Sequence, residues 1–376
     1  MNNVTLVLVK SSKADNDPRL IKEIRSIKKL KHANLNILSW NRNNEETDTH
    51  IEINGTRREL NLRAPISGFM IIFFWPVWWL YILFWLLRMN WDIVHAVNYD
   101  SVFPALIAAK LKRKPVIYEI LDTTYDVYAL PKVIRSFFLF TDKVFMRFSD
   151  AIILVDENQI KQFGVIPNSN IYIIYDSALD VFNKRLVNEK DGNFIILYVG
   201  VLYKKRRLNL DKLCYVVQNL QGVQLLIAGY GDLVEDIKKW ADESKGKIKF
   251  IGRINYLEAL KLSLDADALV VLRDPSVRIN KFICGSKIWE AMMCGKPILV
   301  NKGTSTAEKV LKENCGLVVD ANNVEKIKAA IIKLRDNPKL CKKLGTNARK
   351  AYEQKYGWEI MERRLIALYT RLTHSG

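Results

Sequence analysis

The chain is poor in anions, in histidine and in any spaced set of metal ligands. Asp and Glu number 40 against 58 Lys and Arg, which leaves a formal charge of +18 and a pI near 9.5. The five cysteines (Cys214, Cys284, Cys294, Cys315 and Cys341) show no metal-binding spacing. Their odd number argues against a disulfide framework, so a reducing, cytoplasmic compartment is expected. No secretory signal is visible ahead of the strand-like segment 4–9. Zinc-finger spacing and aromatic RNA-binding signatures are also missing, and the cations are scattered through amphipathic segments. That pattern excludes nucleic acid as the expected partner and leaves phosphorylated substrates and a membrane surface.

What remains is an ordinary folded composition, 49% hydrophobic and 26% charged over 376 residues, a length that suits two domains. Strand-like runs at 4–9, 35–40, 92–96, 115–119 and 151–155 alternate with helical periodicity. A second series follows at 194–200, 223–229, 247–252, 268–272, 297–300 and 316–319. Such alternation predicts parallel sheets covered on both faces. The polar stretch 188–193 is the expected linker, giving domains at 1–190 and 191–355, with a final helix in 356–376 returning to the first domain.

Residues 66–87 hold no charge and include Trp75, Trp78, Trp79 and Trp85. Their length suffices to span a bilayer. A span would split one sheet across the membrane, however, because strands flank the segment on both sides. Pro76 interrupts the run, tryptophan suits the headgroup region, and Arg57, Arg58, Arg63 and Arg88 flank it. The segment therefore reads as a bent, interfacial membrane-docking element, with a buried core helix as the other reading.

The block Gly285-Ser286-Lys287 reads as a turn opening a short helix that ends at Gly295, before the strand 297–300. A helix start offers free N–H groups and partial positive charge to an anion, and Ser286 and Lys287 stand beside it. Glu290 shares the face of Lys287 one turn along and suits two ribose hydroxyls. A second segment, Tyr198-Val199-Gly200 followed by Lys204, Lys205, Arg206 and Arg207, places a glycine at a strand end ahead of four cations. A diphosphate can approach the backbone there and have its charge neutralised.

Cys284-Gly285-Ser286-Lys287 together with Glu290-Ala291-Met292-Met293-Cys294-Gly295-Lys296-Pro297 resembles the donor-binding signature of the group 1 retaining glycosyltransferases. The resemblance implies an α/β architecture of two Rossmann-like domains facing across a cleft, the GT-B fold. It implies diphosphate binding by Lys204 and Arg206 beside Gly200, base contact near Arg253, and diphosphate and ribose binding by Gly285, Ser286, Lys287 and Glu290. Gly229-Tyr230-Gly231 resembles the family's structural Gly-x-Gly turn, and Glu308 reads as a helix-start carboxylate. Where many members carry the first carboxylate of a Glu pair, this chain has Phe282. His95-Ala96-Val97-Asn98-Tyr99-Asp100 resembles the His-x-His-x-x-Asp loop with Val97 in place of the second histidine. His95 and Asp100 are therefore expected at the reacting sugar. Glu119 and Asp122 are expected as carboxylates facing the cleft, and Arg19 as a phosphate contact.

The implied reaction is metal-independent, retaining transfer of a sugar from a UDP- or GDP-sugar to a hydroxyl. Lys and Arg would take the place of a metal, and no other cofactor is expected. The hydrophobic segment adds a lipid-linked or glycan acceptor and attachment to the cytoplasmic face of a membrane. A sugar-nucleotide epimerase of the same fold and a membrane-attached scaffold without catalysis are the competing readings.

Overall fold

The structure, a computed structural model, describes residues 4–30, 32–43, 52–65, 69–127, 131–164, 166, 170–181 and 192–374. The chain forms two compact units, Met1–Tyr175 with Met361–Gly376, and Asp176–Ile360. The first unit thus ends ahead of the polar stretch 188–193, of which residues 188–191 lie outside the described residues.

The first unit holds seven strands: β1 (Val4–Lys10), β2 (Ala33–Asn41), β3 (Arg57–Asn61), β4 (Ile93–Val97), β5 (Val116–Ile120), β6 (Ala151–Leu154) and β7 (Ile171–Ile173). They lie in the order β3-β2-β1-β4-β5-β6-β7, every pairing parallel. The second unit holds β8 (Phe194–Val201), β9 (Val223–Tyr230), β10 (Ile248–Gly252), β11 (Ala268–Val271), β12 (Ile298–Asn301) and β13 (Gly316–Val319). Their order is β10-β9-β8-β11-β12-β13, again all parallel. Each sheet reverses direction of growth beside its first strand, at β1/β4 and at β8/β11. Ligands of open parallel sheets bind outside the carboxyl ends of the strands at such points. Two strands had no sequence signal. β3 reads Arg-Arg-Glu-Leu-Asn at a sheet edge, where charge is tolerated, and β7 is three residues long.

Right-handed crossovers decide which face of the first sheet each helix covers. The connections β3→β4, β4→β5 and β5→β6 all move the same way across the sheet. The helices they carry (Trp75–Arg88, Tyr99–Lys112 and Lys132–Phe148) therefore share one face. Ring contacts bear this out: Trp78 stacks on Trp40 of β2 at 5.7 Å, and Trp75 meets Tyr99 at 5.5 Å and Phe138 at 6.0 Å. Pro18–Ile27, on the β1→β2 connection, runs the other way, to the opposite face. Asp17 caps it through the amides of Arg19 and Leu20, each at 3.1 Å.

The apolar segment differs from the sequence expectation. Residues 69–74 form a 3-10 turn that runs into the helix Trp75–Arg88, and Pro76 starts this helix instead of breaking the run, because its missing N–H falls among the unpaired donors of a helix start. The tryptophans face the protein. Trp75 and Trp78 are buried, the Trp79 indole donates to the Asp100 carbonyl at 2.9 Å, and the Arg58 guanidinium lies 3.7 Å from the Trp85 ring centre. Trp75 and Trp78 anchor the helix to the sheet, with Trp79 and Trp85 half-buried beside them. Phe69, Met70, Phe73, Val77, Leu80, Phe84 and Leu87 face outward. The helix is long and apolar enough to cross a membrane. It nevertheless packs on a sheet in which β1 pairs directly with β4, so strands before and after it stay together.

One buried acid in this layer gives the unit a pH dependence. Burial lifts the Asp142 carboxyl from 3.8 to about 7, outweighing the hydrogen bond from the Tyr118 hydroxyl that pulls it down. Between those values the folded chain keeps a proton that the unfolded chain releases, so stability falls as pH rises through this range and is level above it. The slope is at most about 1.4 kcal/mol per pH unit. Asp142→Asn is expected to flatten it. Urea midpoints at two pH values on either side of the range check this, and an undiminished difference in the variant would place the titration elsewhere.

Candidate active site

In the second unit, the glycine at 285 and the buried apolar side of the following segment shape the site. The helix Lys287–Cys294 follows Ser286, whose own backbone is already helical. The Ser286 carbonyl accepts from the amides of Trp289 at 3.0 Å and Glu290 at 3.2 Å, and its hydroxyl makes no capping bond. Trp289 is fully buried against the Tyr356 ring at 4.9 Å, which fixes the helix rotation. Gly295 ends the helix in the left-handed conformation, with φ of 65°. With this rotation Lys287 and Glu290 share one side. The Lys287 ammonium bridges both Glu290 carboxylate oxygens, at 2.9 and 2.8 Å, and Glu290 is buried. The carboxylate expected for ribose is therefore held by its neighbour and has to share that bond with any hydroxyl it accepts.

Gly200 lies across from this pair. A Cβ placed on it would sit 3.8 Å from the Lys287 Cε, so the end of β8 and the helix start converge. The approach of β9 is closer still: a Cβ on Gly229 would fall 1.9 Å from the Gly200 carbonyl oxygen, so no larger residue fits there. This gives Gly229 a packing role.

Sequence reasoning missed Arg273, which follows β11. A Cβ on Gly285 would lie 2.8 Å from its Nη1, so the absence of a side chain at 285 is what admits the guanidinium. Burial pushes the Tyr198 phenol up to about 12, while the positive charges of Arg273 and Arg206 pull the other way. The available signal was a lone cation directly after an apolar strand, the position that ligands of such sheets touch.

The remaining second-unit candidates lie at the rim. The Lys204 ammonium pairs with Asp236 at 2.7 Å, and its amide donates to Asp232 at 2.7 Å. Arg253 is exposed and lies 4.8 Å from the Tyr230 ring centre at the end of β9. Glu308 lies in the first turn of the helix Ser305–Glu313, which Thr304 caps.

In the first unit, the structure places several expected site residues inside. His95 is 1% exposed, its Nδ1 is 2.7 Å from the Tyr369 hydroxyl, and its Nε2 is 3.4 Å from Glu119. Arg19 donates to Glu119 at 2.5 Å, to Glu23 at 2.6 Å and to the Tyr175 carbonyl at 2.8 Å. The expectations that Arg19 reaches a phosphate and that Glu119 faces open space are thus corrected: both are interior, and their charges are spent on each other. Burial opposes the charge on Glu119, yet Arg19 and His95 together hold its carboxyl below the usual range. Burial and the Glu119 charge push Glu23 upward. Ligand atoms of Glu23, His95 and Glu119 lie within 4.8 Å of one another, a spacing that suits a cation. Arg19 already supplies that positive charge.

Asp100 is buried at the start of its helix, hydrogen-bonded to the Ser11 hydroxyl with Arg42 at 3.7 Å. Burial raises its carboxyl despite Arg42. Asp122 is half-buried after β5. Its amide and that of Leu121 donate to the Asn98 side chain at 3.4 and 2.9 Å. Asn98, with φ of 65°, thereby ties the ends of β4 and β5 together.

Residues 181–351 match the family model for glycosyl transferases group 1. An uncharacterized glycosyltransferase of Methanocaldococcus jannaschii is 24% identical over 82% of this chain and 81% of that protein. The chain is a glycosyltransferase whose residues 181–351 match the group 1 family. A GDP-mannose-dependent monoacylated alpha-(1-6)-phosphatidylinositol monomannoside mannosyltransferase of Corynebacterium glutamicum is 29% identical over 38% of the chain and 37% of that protein. Among solved structures, Anabaena HepE in complex with UDP superposes with a TM-score of 0.73 at 14% identity, covering 98% of this chain and all of that one. The shared fold is GT-B, and this glycosyltransferase carries Gly200, Lys287 and Glu290 at the carboxyl-end switch point of its second sheet.

Proposed function

We propose that this glycosyltransferase moves a sugar, with retention of configuration, from a UDP- or GDP-sugar to a hydroxyl of a lipid-linked acceptor at the cytoplasmic face of a membrane. The observation that carries the donor half is the convergence of Gly200, Arg273, Lys287 and Glu290 near the end of β8. As the glycosidic bond to the donor breaks, negative charge grows on the leaving diphosphate, and fixed cations stabilise it without reorganising. Lys287, Arg273 and Arg206 supply that charge in this reading, so no metal is needed. Glu290 accepts the ribose hydroxyls. The UDP complex of HepE and the GDP-mannose dependence in the Corynebacterium relative's name support a nucleoside diphosphate sugar. That relative's phosphatidylinositol-based acceptor supports a lipid-linked one, as does the outward apolar face of the helix Trp75–Arg88.

The test is a panel of UDP- and GDP-sugars incubated with the full chain and membrane lipid extract, with and without chelator. Nucleoside diphosphate release that depends on the extract, unaffected by chelator and giving a product with the donor's anomeric configuration by NMR, is the expected result. Conversion of the sugar nucleotide without any acceptor would replace transfer by epimerisation. Absence of both nucleotide binding and turnover would leave a scaffold.

A further inference from the structure

The outward apolar surface is not confined to the helix that the sequence singles out. On Lys132–Phe148 the exposed residues Val133, Phe137 and Phe140 recur at spacings of four and three, a single helical stripe. Phe73, Val77, Leu80, Phe84 and Leu87 repeat that spacing along 69–88, and Ile107 and Leu111 do so on Tyr99–Lys112. The three helices share one face of the sheet and are zipped by aromatic contacts beneath their outer sides: Trp75 with Phe138, Trp79 with Phe103, and Phe103 with Phe145. Ten large side chains thus form one layer directed away from the core. Soluble monomers rarely leave so broad an apolar area open.

Charge identifies what covers it. The described residues of these helices include two acids, Asp100 and Asp142, and both are buried. Arg88, Lys110, Lys132 and Arg147 are exposed cations on the same helices. Arg113 and Lys114 extend the exposed basic edge. A second copy docked on this face would set cations against cations. An anionic lipid leaflet offers both what the stripes need and what the rim needs: hydrocarbon for the stripes and phosphates for the rim.

We propose that the three helices form a single lipid-docking face, in which Lys132–Phe148 inserts side chains as the helix 69–88 does, and which selects anionic phospholipid. This rests on the membrane reading of the acceptor given above and extends it to a second inserting element and a lipid class. Monotopic docking of this kind leaves each helix half in the sheet, so the face can bind without any unfolding.

The experiment is co-flotation of the full chain with vesicles of phosphatidylcholine alone or mixed with phosphatidylglycerol. Two pairs of outward-facing substitutions are compared, F73S with L80S and F137S with F140S. All carry exposed side chains, and unchanged melting temperature together with unchanged nucleoside diphosphate binding certifies folding. The expected result is binding to the mixed vesicles only, weakened about tenfold or more by either pair. Loss with the first pair but not the second would overturn the three-helix face while leaving the membrane reading intact. Equal binding to neutral vesicles would overturn the lipid selection. A chain that floats with neither vesicle, or that runs as a dimer dissociated by these substitutions, would overturn the proposal along with the membrane reading. Donor turnover on a soluble acceptor would then still stand by itself.

Discussion

Lys287→Met is expected to cost the second unit about 3 kcal/mol of stability, since it strands the buried Glu290 carboxylate without the ammonium that bridges both its oxygens. Affinity for a nucleoside diphosphate should fall about a hundredfold, the weight of a charge-assisted contact in a partly dry site. Glu290→Gln behaves differently. The amide keeps the shape and one acceptor, Lys287 remains free to meet phosphate, and stability changes by about 1 kcal/mol or less. Binding of the intact nucleotide should fall about tenfold through loss of the ribose contact, and phosphate affinity alone should hold. The double variant K287M/E290Q should be more stable than K287M, because the stranded charge is gone and the two effects are coupled. Urea denaturation and calorimetric titration with UDP and GDP read both quantities. Unaltered nucleotide affinity in K287M would remove this pair from the donor site.

Arg19→Met should have the largest effect on stability, about 3–5 kcal/mol near neutral pH. It leaves Glu23 and Glu119, both 0% exposed, facing each other with no guanidinium between them. Burial and the neighbouring carboxylate already push Glu23 upward, and loss of Arg19 pushes it further. The folded variant then holds a proton that the unfolded chain has lost, so its stability should recover as pH is lowered toward the ordinary glutamate range. Wild type already shows part of that recovery through Glu23, while Arg19 keeps Glu119 ionised, so the recovery should be larger in the variant. Denaturation of wild type and variant at an acidic and a neutral pH distinguishes them, and a variant loss that is the same at both would mean the carboxylates find other partners. Arg19→Lys restores charge but brings a single ammonium to acceptors that a planar fork reaches together.

These two results probe opposite ends of what could be read in advance. The second-unit motif was legible because its chemistry is local: glycine, lysine and glutamate within six positions fix one another through helical geometry. The strands of both sheets, β3 and β7 apart, were legible because parallel strands, buried on both faces, read as continuous apolar runs. His95, Glu119 and Arg19 were not legible as a buried network. It joins β4, β5, the first helix and Tyr369, residues far apart in sequence, and a charged side chain looks the same whether it meets solvent or another charge. Arg273 failed for a related reason, since its place depends on the missing side chain at 285. Trp75 and Trp78 were expected at an interface and are buried, because composition names residue types that like an interface, whereas periodicity decides which of them can reach one. Read at helical spacing, Phe73, Val77, Leu80 and Phe84 define the outer stripe, and Trp75 and Trp78 lie behind it.

The segment from Met361 onward belongs to the first compact unit, where Tyr369 covers His95 and Glu362 bonds Ser26 and Lys29. During ribosomal synthesis the last segment of the first unit is therefore made only after the whole of the second unit. A nascent chain arrested before residue 361 would expose the ionic interior around Arg19 to water, and to any holdase waiting at the exit tunnel.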